Sequence, residues 1–186
     1  MPGCFSQSDE DGITLETLKR LGLDNGCFVE FGVGDGTENN TIILLAAGWS
    51  GAWFSGSHMA FSADASSRLD FAKVWVTRDN IVGLYEKTDG AADVISLDLD
   101  GNDFYLIEVL LEHGVRPKLF IAEYNAKFPP AIDFRIAYDE NHTWKSDDYY
   151  GASLKSLADL LGRYGYTLVC CNTSGVNAFS SCAIPS

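Results

Sequence analysis

The sequence predicts an α/β fold: a mostly parallel sheet of seven strands, helices on both faces, and an antiparallel hairpin toward the C-terminal end. Three observations predict it. Short β-branched and aromatic runs alternate with helical patterns along most of the chain, and Gly, Asn or Asp punctuates the changes. The last two runs follow each other across a short turn with no helix between them. The 186 residues are 46% hydrophobic and 21% charged, which suits one globular domain with a substantial core.

In chain order, Ser8-Asp9 leads into a helix near 15–21 that Gly22 stops. Residues 27–31 are the first strand, since Phe28, Val29 and Phe31 fit a central position. A helix over 37–47 follows at once and is closed by Gly48. Residues 51–55 are the second strand, 60–71 a weak helix rich in Ala and Ser, and 73–77 the third strand. Residues 93–99 are the fourth strand; a helix over 104–113 follows and stops at Gly114. Residues 119–123 are the fifth strand. Between 126 and 150 periodicity is lost around Pro129 and Pro130, and helix returns over 151–164. Strands over 166–171 and 178–184 make the hairpin. The whole of 1–186 reads as a single domain without internal repeats.

The formal net charge is −13, with basic residues scattered rather than massed. Such a surface repels phosphate backbones and anionic membranes, so neither is an expected partner. No apolar run is long enough to span a bilayer. Met1 to Ser6 hold no basic stretch leading into an apolar core, and the five cysteines form no C-x-x-C pair. These features read as reduced thiols in a cytoplasmic protein, and the Asn-x-Ser/Thr matches as chance. A neutral or cationic small molecule is the partner expected.

Residues 28–36 read Phe-Val-Glu-Phe-Gly-Val-Gly-Asp-Gly, a strand entering a turn that glycines permit. Glycine there lets backbone amides approach a nucleotide. A dinucleotide fingerprint needs a third glycine where Thr37 stands, and a phosphate loop needs a lysine that is absent. What remains, Glu30-x-Gly32-x-Gly34-Asp35-Gly36, resembles the first motif of class I S-adenosylmethionine-dependent methyltransferases. The resemblance implies a Rossmann-like, seven-stranded sheet and S-adenosyl-L-methionine as cofactor. It also implies that the glycine loop lies under the cofactor's methionine and ribose, with Glu30 helping to hold the ammonium. Ser55, followed by Gly56 and Ser57, stands where the family usually grips the ribose with an acid. Asp79 or Asn80, after the third strand, matches the position that reads the adenine amino group. A glycine-rich turn without ligand is the plain alternative.

Ser96-Leu-Asp98-Leu-Asp100-Gly-Asn-Asp103 places three carboxylates close together at a strand end, where each raises the others' pKa unless a cation or donor intervenes. An EF-hand loop fails, because its sixth position would be Asp103 and its twelfth Val109. Continued through Glu108-Val-Leu110, the segment resembles FkbM-type methyltransferases, with Asp100 in place of the usual Glu and Asp103 as the second acid. That family methylates hydroxyls of sugars and secondary metabolites. The structural alternative is a solvated turn with Asp103 capping the next helix.

Glu123-Tyr-Asn125 ends the fifth strand. With Asp98 it resembles the catechol-type O-methyltransferases, in which such residues hold Mg2+. Tyr124 intervenes here, so Glu123 and Asn125 point the same way. The resemblance implies Asp98, Glu123 and Asn125 as metal ligands and Mg2+ as a second cofactor; the alternative is Glu123 acting alone as a base. In 126–150, Phe128, Phe134, Tyr138, Trp144, Tyr149 and Tyr150 alternate with acids around His142, which reads as a lid over the acceptor. A small satellite core or a homodimer contact is the other use of these aromatics. The expected function is O-methylation of a small molecule, with Asp98, Asp100, Glu123 and Asn125 on the acceptor side. Another enzyme using the same cofactor, or a non-catalytic module, is the alternative.

Overall fold

The computed structural model describes residues 5–61, 66–88 and 90–182. The elements are α1 (Glu10–Arg20), β1 (Cys27–Phe31), α2 (Ile42–Ala46), β2 (Ser50–Ser55), β3 (Leu69–Lys73), α3 (Ile81–Glu86), β4 (Val94–Leu97), α4 (Asp103–Glu112), β5 (Leu119–Glu123), α5 (Leu154–Arg163), β6 (Thr167–Cys171) and β7 (Asn177–Ser181). One sheet orders the strands β3-β2-β1-β4-β5-β7-β6. The first five are parallel, and β7 runs antiparallel to both β5 and β6.

The period of two along a strand sends alternate residues to opposite faces. Val29, Phe31, Ile95, Leu97, Phe120 and Ala122 pack with α3, α4 and α5 residues such as Ile81, Leu110 and Leu160. Phe28, Trp53, Val94, Leu119 and Ile121 pack on the other face with Leu18 of α1 and Leu44 of α2. The sheet is therefore buried on both sides, as parallel strands require. Among the described residues no helix is long and apolar enough to cross a membrane, and Cys27, Cys170, Cys171 and Cys182 are free thiols.

Several boundaries differ from the sequence reading. The helix expected over 37–47 begins only at Ile42. Asn and Thr side chains bond locally to the backbone and divert it: Asn39 Oδ1 accepts from the Ile42 amide, while Glu30 takes the amides of Asn40 and Thr41. The third strand, expected over 73–77, is Leu69–Lys73. It stops where its partner does, with Ser55 opposite Lys73. That strand also occupies the end of the weak helix expected over 60–71, of which residues 62–65 lie outside the described ones. Residues 183–184 of the last expected strand lie outside them too.

Candidate functional site at the carboxyl ends of the central strands

β1 lies between β2 and β4, so successive connections leave it in opposite directions. The crevice beyond the strand ends at such a switch is where open α/β sheets bind ligands. Here it holds a cavity of about 360 Å³, lined by Gly32, Gly34, Ser55, Trp75, Asp98, Asp100 and His142 among others. That is a size suited to a small molecule.

Gly32 sets the crevice floor. Its φ is +94°, and a Cβ there would lie 1.7 Å from the Asp98 carbonyl oxygen, so the loops after β1 and β4 meet only because the side chain is absent. The Gly34 carbonyl accepts from Ser55 Oγ at 2.7 Å, and that same oxygen accepts from the Ser57 amide at 3.0 Å. Ser55 thus braces the glycine loop from the cavity wall. Asp35 points elsewhere: exposed, it accepts from the Thr37 hydroxyl at 2.6 Å, which lowers its pKa.

The structure corrects the reading of Glu30. Its carboxylate is fully enclosed and accepts from the Asn40 amide (2.9 Å), the Thr41 amide (3.1 Å), Thr41 Oγ1 (2.5 Å) and Ser96 Oγ (3.2 Å). Burial raises its pKa, with these donors opposing the shift. Glu30 fastens the loop leading to α2, which begins five residues after Gly36's neighbour Thr37 rather than at the turn itself. Asn80 is likewise committed, accepting from the Thr77 amide and donating to the Trp75 carbonyl, and neither it nor Asp79 lines the cavity. Trp75 lines it instead. Its alternating Val-Trp-Val setting read as strand interior, and no local signal distinguished it. The side chain is 51% exposed, its indole donating to the Glu140 carbonyl at 2.7 Å.

Asp98, Asp100 and Glu123 converge, each offering an oxygen within 4.8 Å of the others. Asp100, itself exposed, joins them from a left-handed backbone, φ 54°. Glu123 Oε2 is buried without a hydrogen-bond partner among the described residues. Burial, reinforced by Asp98, Asp103 and Asp100, pushes the Glu123 carboxyl up to about 10. Asp98 is raised well above its ordinary range by burial and then by Asp103, Asp100, Glu30 and Glu10. Asp103 has the structural role: it accepts from the Leu99 and Gly101 amides and folds the 98–103 turn onto α4, burial lifting its carboxyl to about 6.

Asn125 has hydrogen-bond duties of its own. Buried, it donates to the carbonyls of Asp148 and Tyr150, both at 3.0 Å, and accepts from the Lys127 amide at 3.1 Å. It clasps the two ends of the 126–150 segment, a use of the amide that the spacing alone did not disclose. Asp100 takes the third place in the acid cluster. The segment itself is irregular, as expected, and Phe128, Phe134 and Tyr149 pack on one another. His142, Thr143 and Trp144 reach the cavity. His142 rests on Gly101 and leaves Nε2 buried without a described partner.

Together, the sheet order, the single antiparallel strand and the crevice define the Rossmann-like fold of class I methyltransferases. No protein-family model matches the chain, and no curated protein matches its sequence. Solved structures match its fold. A candidate hemolysin from Lactococcus lactis has a TM-score of 0.59 at 12% identity, the match covering 97% of this chain and 90% of that one. MycE methyltransferase of the mycinamycin biosynthetic pathway, in complex with Mg, SAH and mycinamycin VI, gives 0.58 at 14% identity over 91% of this chain and 48% of its own, about half its length. The 1,6-didemethyltoxoflavin-N1-methyltransferase of Burkholderia thailandensis, with its substrate and S-adenosylhomocysteine bound, gives 0.56 at 15% identity over 92% and 74%. Likeness at these identities establishes the fold alone.

Proposed function

We propose that the protein is an S-adenosylmethionine-dependent methyltransferase acting on a small molecule, most simply by O-methylation of a hydroxyl as in FkbM-type enzymes. The observation that carries this reading is the cavity in which a glycine loop faces Asp98 and Asp100 across the topological switch, their carboxyls converging with that of Glu123 behind them. The two methyltransferase neighbours are solved with SAH and a small molecule bound, which supports the same use here. Gly32, Gly34 and Trp75 would hold the adenosine, and Asp98 would face the reacting end. The cofactor's sulfonium would supply an activated methyl, so the protein's task is alignment of the acceptor.

The acid cluster fits a hard divalent cation, since its ligands are all oxygen and an enclosed Glu123 oxygen lacks a donor. Asp98, Asp100 and Glu123 would hold Mg2+, which would supply Lewis acidity toward an acceptor hydroxyl. Residues 126–150 would serve as the lid that excludes water, with Trp144 and His142 against the acceptor. N-methylation is the closest rival chemistry, given the Burkholderia neighbour. Ser55 favours a second reading, a module that binds without turnover, because a hydroxyl grips ribose less firmly than a carboxylate.

Calorimetric titration with S-adenosylmethionine and S-adenosylhomocysteine, with and without Mg2+, tests the proposal. Saturable binding of both is expected, tighter with the metal. Absence of binding at high micromolar concentration overturns it.

A further inference from the structure

The two edges of the sheet are unlike. β3 forms one of them and carries Asp70 and Lys73, with Arg68 just before it. Charged side chains of this kind keep an open edge from pairing with another chain. β6 forms the other edge, and its five residues, Thr-Leu-Val-Cys-Cys, include no charge and no proline. Residues 164–186 contain no Asp, Glu, Lys, Arg or His at all, in a chain whose formal net charge is −13. Asp9 and Glu10 are bonded to Thr173 and Asn172, past the end of the strand.

β7 pairs with β6 on one side, and no backbone group of another described residue bonds to its outer side. A row of N–H and C=O groups therefore faces away from the sheet. The strand's side chains also present apolar surface: Thr167 is exposed and Leu168 to Cys171 are half-buried. Leu168 and Cys171 pack partly on the core face that holds α4 and α5, and Val169 and Cys170 on the face that holds α1. The register shift between Leu168 and Cys170 sets Val169 and Cys170 on that face together, which widens the apolar strip there.

The distribution of charge selects what covers this edge. A basic partner is drawn to carboxylates, and β6 offers none. Copies of an acidic chain repel one another through their charged faces and least where charge is missing. A strand also pairs with an identical strand antiparallel across a two-fold axis, both copies using the same groups. Centred on Val169, such pairing sets Leu168 opposite Cys170 and Thr167 opposite Cys171 of the second copy, with no charged pair. We infer that β6 is a self-association edge, at which two copies pair antiparallel and join their sheets into one. The interface is small, so the association is of the weak, concentration-dependent kind. The crevice at β1 and β4 is separated from β6 by β5 and β7, so it stays open in both copies.

Sedimentation velocity over a dilution series tests the inference. At high micromolar protein the chain should sediment as an exchanging mixture of monomer and dimer. Added salt should strengthen the dimer, because it screens the net repulsion and breaks no ion pair at the edge. Over the same series, amide exchange of residues 167–171 should slow as the dimer forms, while that of residues 69–73 stays the same. Val169→Lys, which sets two lysines against each other on the axis, should raise the dimer dissociation constant at least about tenfold. Thr167→Lys, at an exposed position, should weaken the dimer in the same sense, and it decides if Val169→Lys fails to fold. A dimer that salt weakens, or that both folded lysine variants leave intact, overturns the inference. A monomer at every concentration overturns it too, and leaves the edge to an extended segment of some other protein.

Discussion

At the residue scale the crevice depends on what is missing from Gly32. The residue has two separate constraints, a left-handed backbone and a carbonyl oxygen where its Cβ would go. Gly34 has the first constraint only, with φ +55° and open space around it. Gly34→Ala should therefore cost about 1–2 kcal/mol, the ordinary penalty for that backbone region. Gly32→Ala should cost clearly more and pull the turn after β4 away from the loop, since Asp98 must move. Urea denaturation of the pair measures the difference; equal costs would mean that the close approach to Asp98 carries no weight. The glycine spacing in the sequence disclosed the turn, but not which glycine the fold cannot lose. Glu30 carries the opposite lesson. Its position announced a site acid, and only the positions of the Asn40 and Thr41 amides disclose that it is an internal fastener.

At the element scale the 126–150 segment is held by a few polar contacts at its outer turn. Asn102 Nδ2 donates to the Asp139 carbonyl at 2.7 Å and Trp75 Nε1 to that of Glu140, while the Arg78 guanidinium lies over both the Tyr105 and Tyr138 rings at 4.9 and 4.7 Å. Asn102→Ala removes a contact worth about 1 kcal/mol from this edge. Amide exchange over 136–144 should quicken severalfold while the central strands keep their protection; unchanged exchange there would show that the rings alone hold the segment. The sequence disclosed the segment's limits because Pro129, Pro130 and mixed aromatics break any period. It hid the α2 boundary, where side-chain bonds from Asn39 compete with a helix that propensity favours. It also hid the start of β3, since a strand's extent is set by its neighbour.

At the scale of the whole molecule, the buried acids govern how stability follows pH. Glu123 holds its proton up to about pH 10 when folded but only to about its ordinary 4.5 when unfolded. Between those limits the folded state carries a proton that the unfolded state has lost, so stability is fullest below 4.5 and declines as pH rises. Asp103, at about 6 against 3.8, and the raised Asp98 act in the same sense. The melting temperature should fall from pH 5 to pH 9, Mg2+ should recover more of it at pH 9, and Glu123→Gln should flatten the slope. A melting temperature that climbs over this range would contradict the assignment. The seven-stranded architecture was legible from alternation alone. The ligand set was not, because whether Asp100 or Asn125 completes the cluster depends on how the chain turns after β4 and β5.

The position of β7 has a consequence for how the molecule is made. It follows β6 in the chain yet lies between β5 and β6 in the sheet. A nascent chain on the ribosome that has emerged through β6 therefore presents β5 with one open edge, Leu119–Glu123, and cannot close it from what it already holds. The same late strand brings Asn177 to a small cavity that Gly32 and Asp98 also line. The described residues that line the crevice all precede β7 in the chain, so the site's lining is synthesised before the strand that closes the sheet beside β5.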